Sequence, residues 1–205
     1  DMVSEDSRIF LQALLHYHGN YRVTPIFLPV SLDAISGKTY FESLVALYKQ
    51  QRRWAWGVEH FPYMIPRMLN DRLMPVKTKI KYIWNHLEGM YTWSTAPILI
   101  FILGYLPLWV ASKGETSVLF MVTPLTLEWI MRLAMLGVFV SGILALTMLP
   151  ERPKNLPRYT WIVMILQWLL MPVTFVMFGA LPAIDAQTRL MIGKYLGFNV
   201  TTKKR

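Results

Sequence analysis

Hydrophobic and polar positions divide the chain near residue 90. Beyond it lie three long uncharged runs: Tyr91–Ser112 with 22 residues, Leu133–Pro150 with 18 and Tyr159–Ile184 with 26. A helix needs about 20 apolar residues to cross the hydrocarbon of a bilayer. Aromatic residues mark the ends of the first run (Tyr91, Trp93, Trp109), and Trp129 and Arg132 stand where the second begins, as membrane interfaces favour. The pattern predicts about three transmembrane helices, near 91–112, 129–150 and 159–182, the last kinked at Pro172. Ser117–Leu127 is apolar but short and carries Pro124, so it is expected to be re-entrant or interfacial.

Residues 1–90 have a different rhythm. Ile9, Leu11, Leu14 and Leu15 follow a helical period, with Ser4 or Ser7 available as a cap and Gly19-Asn20 as the stop. Tyr21–Val30 leans toward β structure, although Pro25 and Pro29 keep it out of a sheet centre. Tyr40–Trp56 reads as a helix with Leu44, Leu47 and Tyr48 on one face. Phe61–Glu88 reads as short basic amphipathic helices broken at Pro62, Pro66 and Pro75, the kind that lie in the interfacial plane.

Composition supports a membrane protein. Of 205 residues, 54% are hydrophobic and only 16% charged, against about 25% charged in a typical soluble domain. The absence of cysteine excludes a disulfide scaffold, a thiol nucleophile and any Cys-ligated metal. The formal charge is +9, and eight basic residues between Lys49 and Lys81 face only Glu59 and Asp71. Beside an apolar run, such residues mark the cytoplasmic side and are held by anionic lipid; no nucleic-acid-binding pattern accompanies them. Three crossings put the tail outside, whereas its Arg189, Lys194, Lys203, Lys204 and Arg205 argue for inside, so the number of crossings stays open. The chain opens on Asp1 without a basic-then-apolar leader, from which no signal peptide is expected and a piece of a longer protein is.

Two clusters carry candidate chemistry. In Gln50-Gln51-Arg52-Arg53-Trp54, helical spacing puts Gln50, Arg53 and Trp54 on one face. A guanidinium suits bidentate contact with phosphate, an amide suits a sugar hydroxyl or phosphate oxygen, and an indole can carry a sugar ring. The plainer reading is an interfacial helix whose arginines touch lipid phosphates. Upstream, Ser4-Glu5-Asp6 offers carboxylates at a helix start, where the dipole favours them; this suits a general base toward a hydroxyl. The plainer reading there is an ordinary capping segment.

Together these clusters resemble the processive, membrane-embedded members of glycosyltransferase family 2, the cellulose, chitin and hyaluronan synthases and their bacterial relatives. Those enzymes pair an (S/T)ED-like motif with a QxxRW motif on an interfacial helix before the membrane helices. A third segment, Phe198-Asn199-Val200-Thr201-Thr202-Lys203, is similar to the FxVTxK gating loop of bacterial cellulose synthase. Ser replaces the usual Thr in the first motif, no DxD occurs, and the gating-like segment stands at the C-terminus.

The resemblance implies a mainly α membrane protein carrying the tail of a GT-A-like α/β domain. Residues 1–38 would end the catalytic domain, 39–90 would form interfacial helices, 91–184 the transmembrane region and 185–205 a basic tail. Asp6 would be the catalytic base with Glu5 beside it. Gln50 and Arg53 would contact the diphosphate or the acceptor, and Trp54 would stack on the acceptor sugar. Phe198, Val200, Thr201 and Lys203 would close over the donor. Also implied are a UDP-sugar donor, a glycan or lipid-linked acceptor, an inverting mechanism and a Mg2+ or Mn2+ ion whose ligands lie outside these residues. The expected location is a bacterial inner membrane with the catalytic part cytoplasmic, without activity for this chain alone. The alternative is a non-catalytic anchor or scaffold that binds anionic lipid through its basic helices. His16 and His18, about 200° apart on a helix, cannot share a metal. The 13 methionines are expected to pack, Asn199-Val200-Thr201 is a sequon only in a secretory lumen, and Glu128 and Arg132 have i,i+4 spacing for an ion pair.

Overall fold

The computed structural model describes residues 3–28, 30, 35–111, 118–149, 157 and 159–197. They are mainly helical, and no strand occurs among them. Two compact units emerge: residues 1–96 with 176–205, and residues 97–175.

The first unit begins with α1 (Glu5–His16), whose first turn carries Glu5 and Asp6 and whose last turn carries His16, the charge order a helix dipole favours. Ser4 occupies the N-cap position but its side chain makes no cap bond. His18 (φ 50°) and Gly19 (φ 86°) end the helix, and the Gly19 N–H donates to the Leu14 carbonyl at 2.8 Å. A Cβ at Gly19 would lie 2.7 Å from Cγ2 of Thr78, so glycine here serves both the backbone and a close approach.

The next helix, α2 (Tyr40–Ala55), starts at a Thr39–Glu42 pair. Thr39 Oγ1 accepts from the Glu42 N–H, and Glu42 Oε2 accepts from the Lys38 N–H, close to a reciprocal capping box. A 3-10 turn (Trp56–Glu59) leads into α3 (His60–Asn70).

Here the structure corrects the expected breaks at Pro62 and Pro66, for α3 contains both. Pro62 falls in the first turn, where an absent N–H costs little. Pro66 sits inside the helix, which continues through a buried face of His60, Met64 and Met68 at i, i+4, i+8. The chain breaks at Asp71–Pro75, where Asp71 Oδ1 accepts from the Leu73 and Met74 N–H groups. From there α4 (Val76–Ala111) runs for 36 residues. Lys77, Lys79 and Lys81, the end of the basic stretch, therefore stand on the same helix as the first apolar run, and not on a separate interfacial helix.

The β-leaning stretch Tyr21–Val30 forms no strand where it is described. Two prolines remove ladder donors, and Ile26 and Phe27 lie in the open, 80% and 92% exposed.

Two clusters make the core of this unit. Leu11, Leu14, Met64, Met68 and Met74 form one, flanked by Phe10, Tyr63 and Tyr82. Val3, Ala55, Trp56, Ala183, Ala186 and Leu196 form the other, with Trp93 and Leu190 against it. Burying one Met or Leu side chain contributes roughly 1.5–3 kcal/mol.

The second unit holds the rest of α4, α5 (Val118–Thr147), α6 (Thr160–Leu166), a 3-10 turn (Gln167–Leu170) and α7 (Met171–Thr174). Residues 118–127 are the opening turns of α5 and continue into the second apolar run, so they are not a separate re-entrant element. The Trp168 indole lies within 3.6 Å of where a Cβ on Gly142 would stand. Glu128 and Arg132 form their i,i+4 ion pair. Glu128–Thr147 and Ile162–Met191 are long and apolar enough to cross a membrane. Around Pro172 the third run leaves α geometry twice, through the 3-10 turn before it and a π turn (Phe175–Ala180) after it. Proline withholds an N–H and clashes with the preceding turn, which accounts for the departure from α geometry beside it. The chain then enters α8 (Leu181–Met191), which belongs to the first unit.

Candidate functional site

Helix geometry decides what each residue of the Gln50–Trp54 segment can do. At about 100° per residue, Tyr48, Arg52 and Ala55 share one side of α2. That side faces α8. Ala55 is buried in a cluster with Ala183 and Ala186. Arg52 Nη1 donates to Asp185 Oδ2 at 2.8 Å, and the Tyr48 hydroxyl donates to the same oxygen at 3.5 Å. Arg189 Nε completes the group on Asp185 Oδ1 at 2.7 Å. Burial, then the Asp185 carboxylate, push the Tyr48 phenol above its ordinary pKa.

Gln50 and Trp54 lie about 160–200° around the helix from Arg52, on the side away from that group. The Trp54 side chain is 53% exposed, open enough to offer an indole face. Gln50 and Arg53 are half-buried.

Ser4, Glu5 and Asp6 open α1. Glu5 and Asp6 are exposed, while the Ser4 hydroxyl is buried without a hydrogen-bond partner. Val3, the residue before this motif, belongs to the same buried cluster as Ala55 and Trp56, the residues directly after Trp54. A shared core thus flanks both motifs. The gating-like residues Phe198, Val200, Thr201 and Lys203 lie outside the described residues.

A buried polar group lines the same region. Trp56 is fully buried, and its Nε1 donates to Glu59 Oε2 at 2.9 Å. Arg8, 5% exposed, lays its guanidinium 3.6 Å from the centroid of the Tyr63 ring, a favourable cation–π placement. Neither ring nitrogen of the buried His60 has a hydrogen-bond partner. Burial, and then the nearby Arg8 charge, depress its pKa to about 4. Burial also lowers His86, whose Nε2 lies 3.2 Å from the Gly57 carbonyl.

Among the described residues no three His, Asp or Glu side chains are grouped to hold a metal ion. His18 instead pairs with Asp71 at 2.9 Å, and that bond holds the Asp71 carboxyl below its usual pKa. The described residues thus offer no ligand set for the divalent ion implied by the resemblance.

No family model, curated protein or solved structure matches the chain.

Sequence reasoning named Gln50, Arg53 and Trp54 and passed over Arg52 and Asp185. The available signal was Asp185 itself, the acid that ends a 26-residue uncharged run, since a charge in apolar sequence needs a partner. Arg8, Glu59 and His60 carried no comparable signal, because only tertiary packing buries them.

Proposed function

We propose that this chain supplies the acceptor side of a membrane-embedded, inverting glycosyltransferase of family 2. The observation that carries the reading is the common core under the two motifs, Val3 on one side and Ala55 and Trp56 on the other. It supports a single site in which the exposed Asp6 and Glu5 work with Gln50, Arg53 and Trp54. Trp54 stacks on the acceptor sugar, and Asp6 takes the proton from its hydroxyl. The resulting oxygen attacks the anomeric carbon of the nucleotide sugar. As the new C–O bond forms, the bond to the diphosphate breaks and its electron pair leaves with that group, which the Arg53 guanidinium and Gln50 amide stabilise by charge and hydrogen bonding. The donor is a UDP-sugar and the acceptor a glycan or lipid-linked glycan, with Mg2+ or Mn2+ held elsewhere. The site faces the cytoplasm at a bacterial inner membrane.

The test compares Trp54→Ala with charge reversal of Lys77, Lys79 and Lys81, scoring membrane insertion and sugar transfer from a radiolabelled UDP-sugar in full-length protein. Transfer lost in Trp54→Ala with insertion intact supports the proposal. Function preserved in Trp54→Ala but abolished by the charge reversal favours the lipid-binding anchor.

A further inference from the structure

Asp185 is chemically out of place in its own sequence neighbourhood. It lies within Ile162–Met191, a stretch apolar enough to cross a membrane, where a carboxylate is costly unless paired. The structure provides the partners. Both oxygens are engaged, Oδ2 by Arg52 of α2 and Oδ1 by Arg189 of α8 itself. The side chains of Arg52 and Asp185 retain only 15% and 25% exposure, so this pair is better shielded from water than an ordinary surface ion pair. Around it the fit of α8 is close. Ala183 and Ala186 are buried with Ala55, and Gln187 Nε2 donates to the Met90 carbonyl of α4 at 3.0 Å.

We infer that Asp185 is a positioning residue that latches α2 to α8 and thereby fixes the direction in which Gln50 and Trp54 point. The geometry follows from the helix itself. Arg52 stands almost diametrically opposite the midpoint of Gln50 and Trp54 on α2, so fastening it sets the rotation of the other side. Alanine packing by itself fixes that rotation weakly, because small side chains interdigitate little. The directional bond from Arg52 Nη1 to Asp185 Oδ2 fixes it better, because Arg189 holds the other carboxylate oxygen and so orients the acceptor. Helix α8, which closes the membrane-apolar stretch, is thus a structural partner of the Gln50–Trp54 helix, and not simply the end of a span.

The role of the latch in sugar transfer rests on the proposed function; the latch itself does not, and one experiment separates them. The chain contains no cysteine, so spin labels on Lys49→Cys and Thr188→Cys report one distance between α2 and α8 in lipid nanodiscs. Sugar transfer is measured in the same backgrounds in full-length protein. The unsubstituted latch is expected to give one narrow distance distribution. Asp185→Asn and Arg52→Gln are expected to broaden it and to lower transfer by about 10–100-fold, the scale of a misplacement near 1 Å. Asp185→Glu is expected to restore both. If Asp185→Asn does not insert, Arg52→Lys, which keeps the charge but loses the planar fork, is expected to broaden the distribution to a smaller degree. An unchanged distribution in every inserted variant overturns the inference, as does a displaced helix with full transfer. A displaced helix in a protein that never transfers sugar upholds the latch and overturns the glycosyltransferase reading.

Discussion

The two units of the chain solve the burial problem in opposite ways. In the first, Leu14, Trp56, Met64 and Met68 are essentially removed from solvent, and charged groups such as Asp185 and Glu59 have specific partners. In the second, side chains just as apolar face outward: Leu133 is 64% exposed, Phe139 68% and Leu169 75%. An apolar surface of this extent is untenable in water and natural in hydrocarbon, where lipid tails replace a protein core. The first unit places polar groups at defined distances, whereas the second presents helices apolar enough to cross a membrane.

Breaking each core should expose that contrast. Trp56→Ala removes a fully buried indole and the donor to Glu59, at an expected cost of about 3–5 kcal/mol. Phe139→Ala, on the outward face of α5, is expected to cost well under about 1 kcal/mol in the same detergent. Denaturant midpoints, with proteolysis to separate the units, check both. Equal losses at the two positions would erase the distinction.

Acid sensitivity should be the next largest difference, and it should be confined to the first unit. His60 is neutral in the fold with a pKa of about 4, against an ordinary value of about 6.5. The unfolded chain therefore binds the extra proton first. The stability linked to neutral His60 is present above about pH 6.5 and declines as pH falls toward 4, by roughly 3 kcal/mol in all. His60→Gln is expected to flatten that part of the curve, as read by unfolding at a series of pH values.

A smaller effect is expected at Gly19. Alanine there must adopt a left-handed φ and press on Thr78, costing about 1–2 kcal/mol. Thermal unfolding of the first unit checks it. Smallest of all is Glu128→Gln, which removes an exposed ion pair in the second unit. The expected change is below about 0.5 kcal/mol, detected as an unaltered unfolding midpoint.

The second unit was the more legible in sequence. Uninterrupted apolar runs can be read without knowing what surrounds them, and 129–150 and 159–182 overlap the stretches long and apolar enough to cross a membrane. Proline was read too strongly. Pro62 and Pro66 were expected to break a helix that their buried neighbours Met64 and Met68 hold together, because tertiary burial outweighs a local hydrogen-bond loss. At the candidate site, the positions of Asp6 and Trp54 on helices were legible from local spacing. The union of their segments over Val3, Ala55 and Trp56 was not, since it depends on contacts some 50 residues apart. Asp185 lies farther still, 133 residues from Arg52, and no local pattern could pair them.

The most direct test of the central claim is the rate of UDP release from a UDP-sugar in bilayers holding full-length protein, comparing the native chain with Asp6→Asn. A general base of this kind contributes about 10²–10⁴-fold. A loss in that range is expected for Asp6→Asn, with insertion and the pH dependence set by His60 both unchanged. Equal rates in the two proteins, or no release from the native chain with any UDP-sugar, would contradict it.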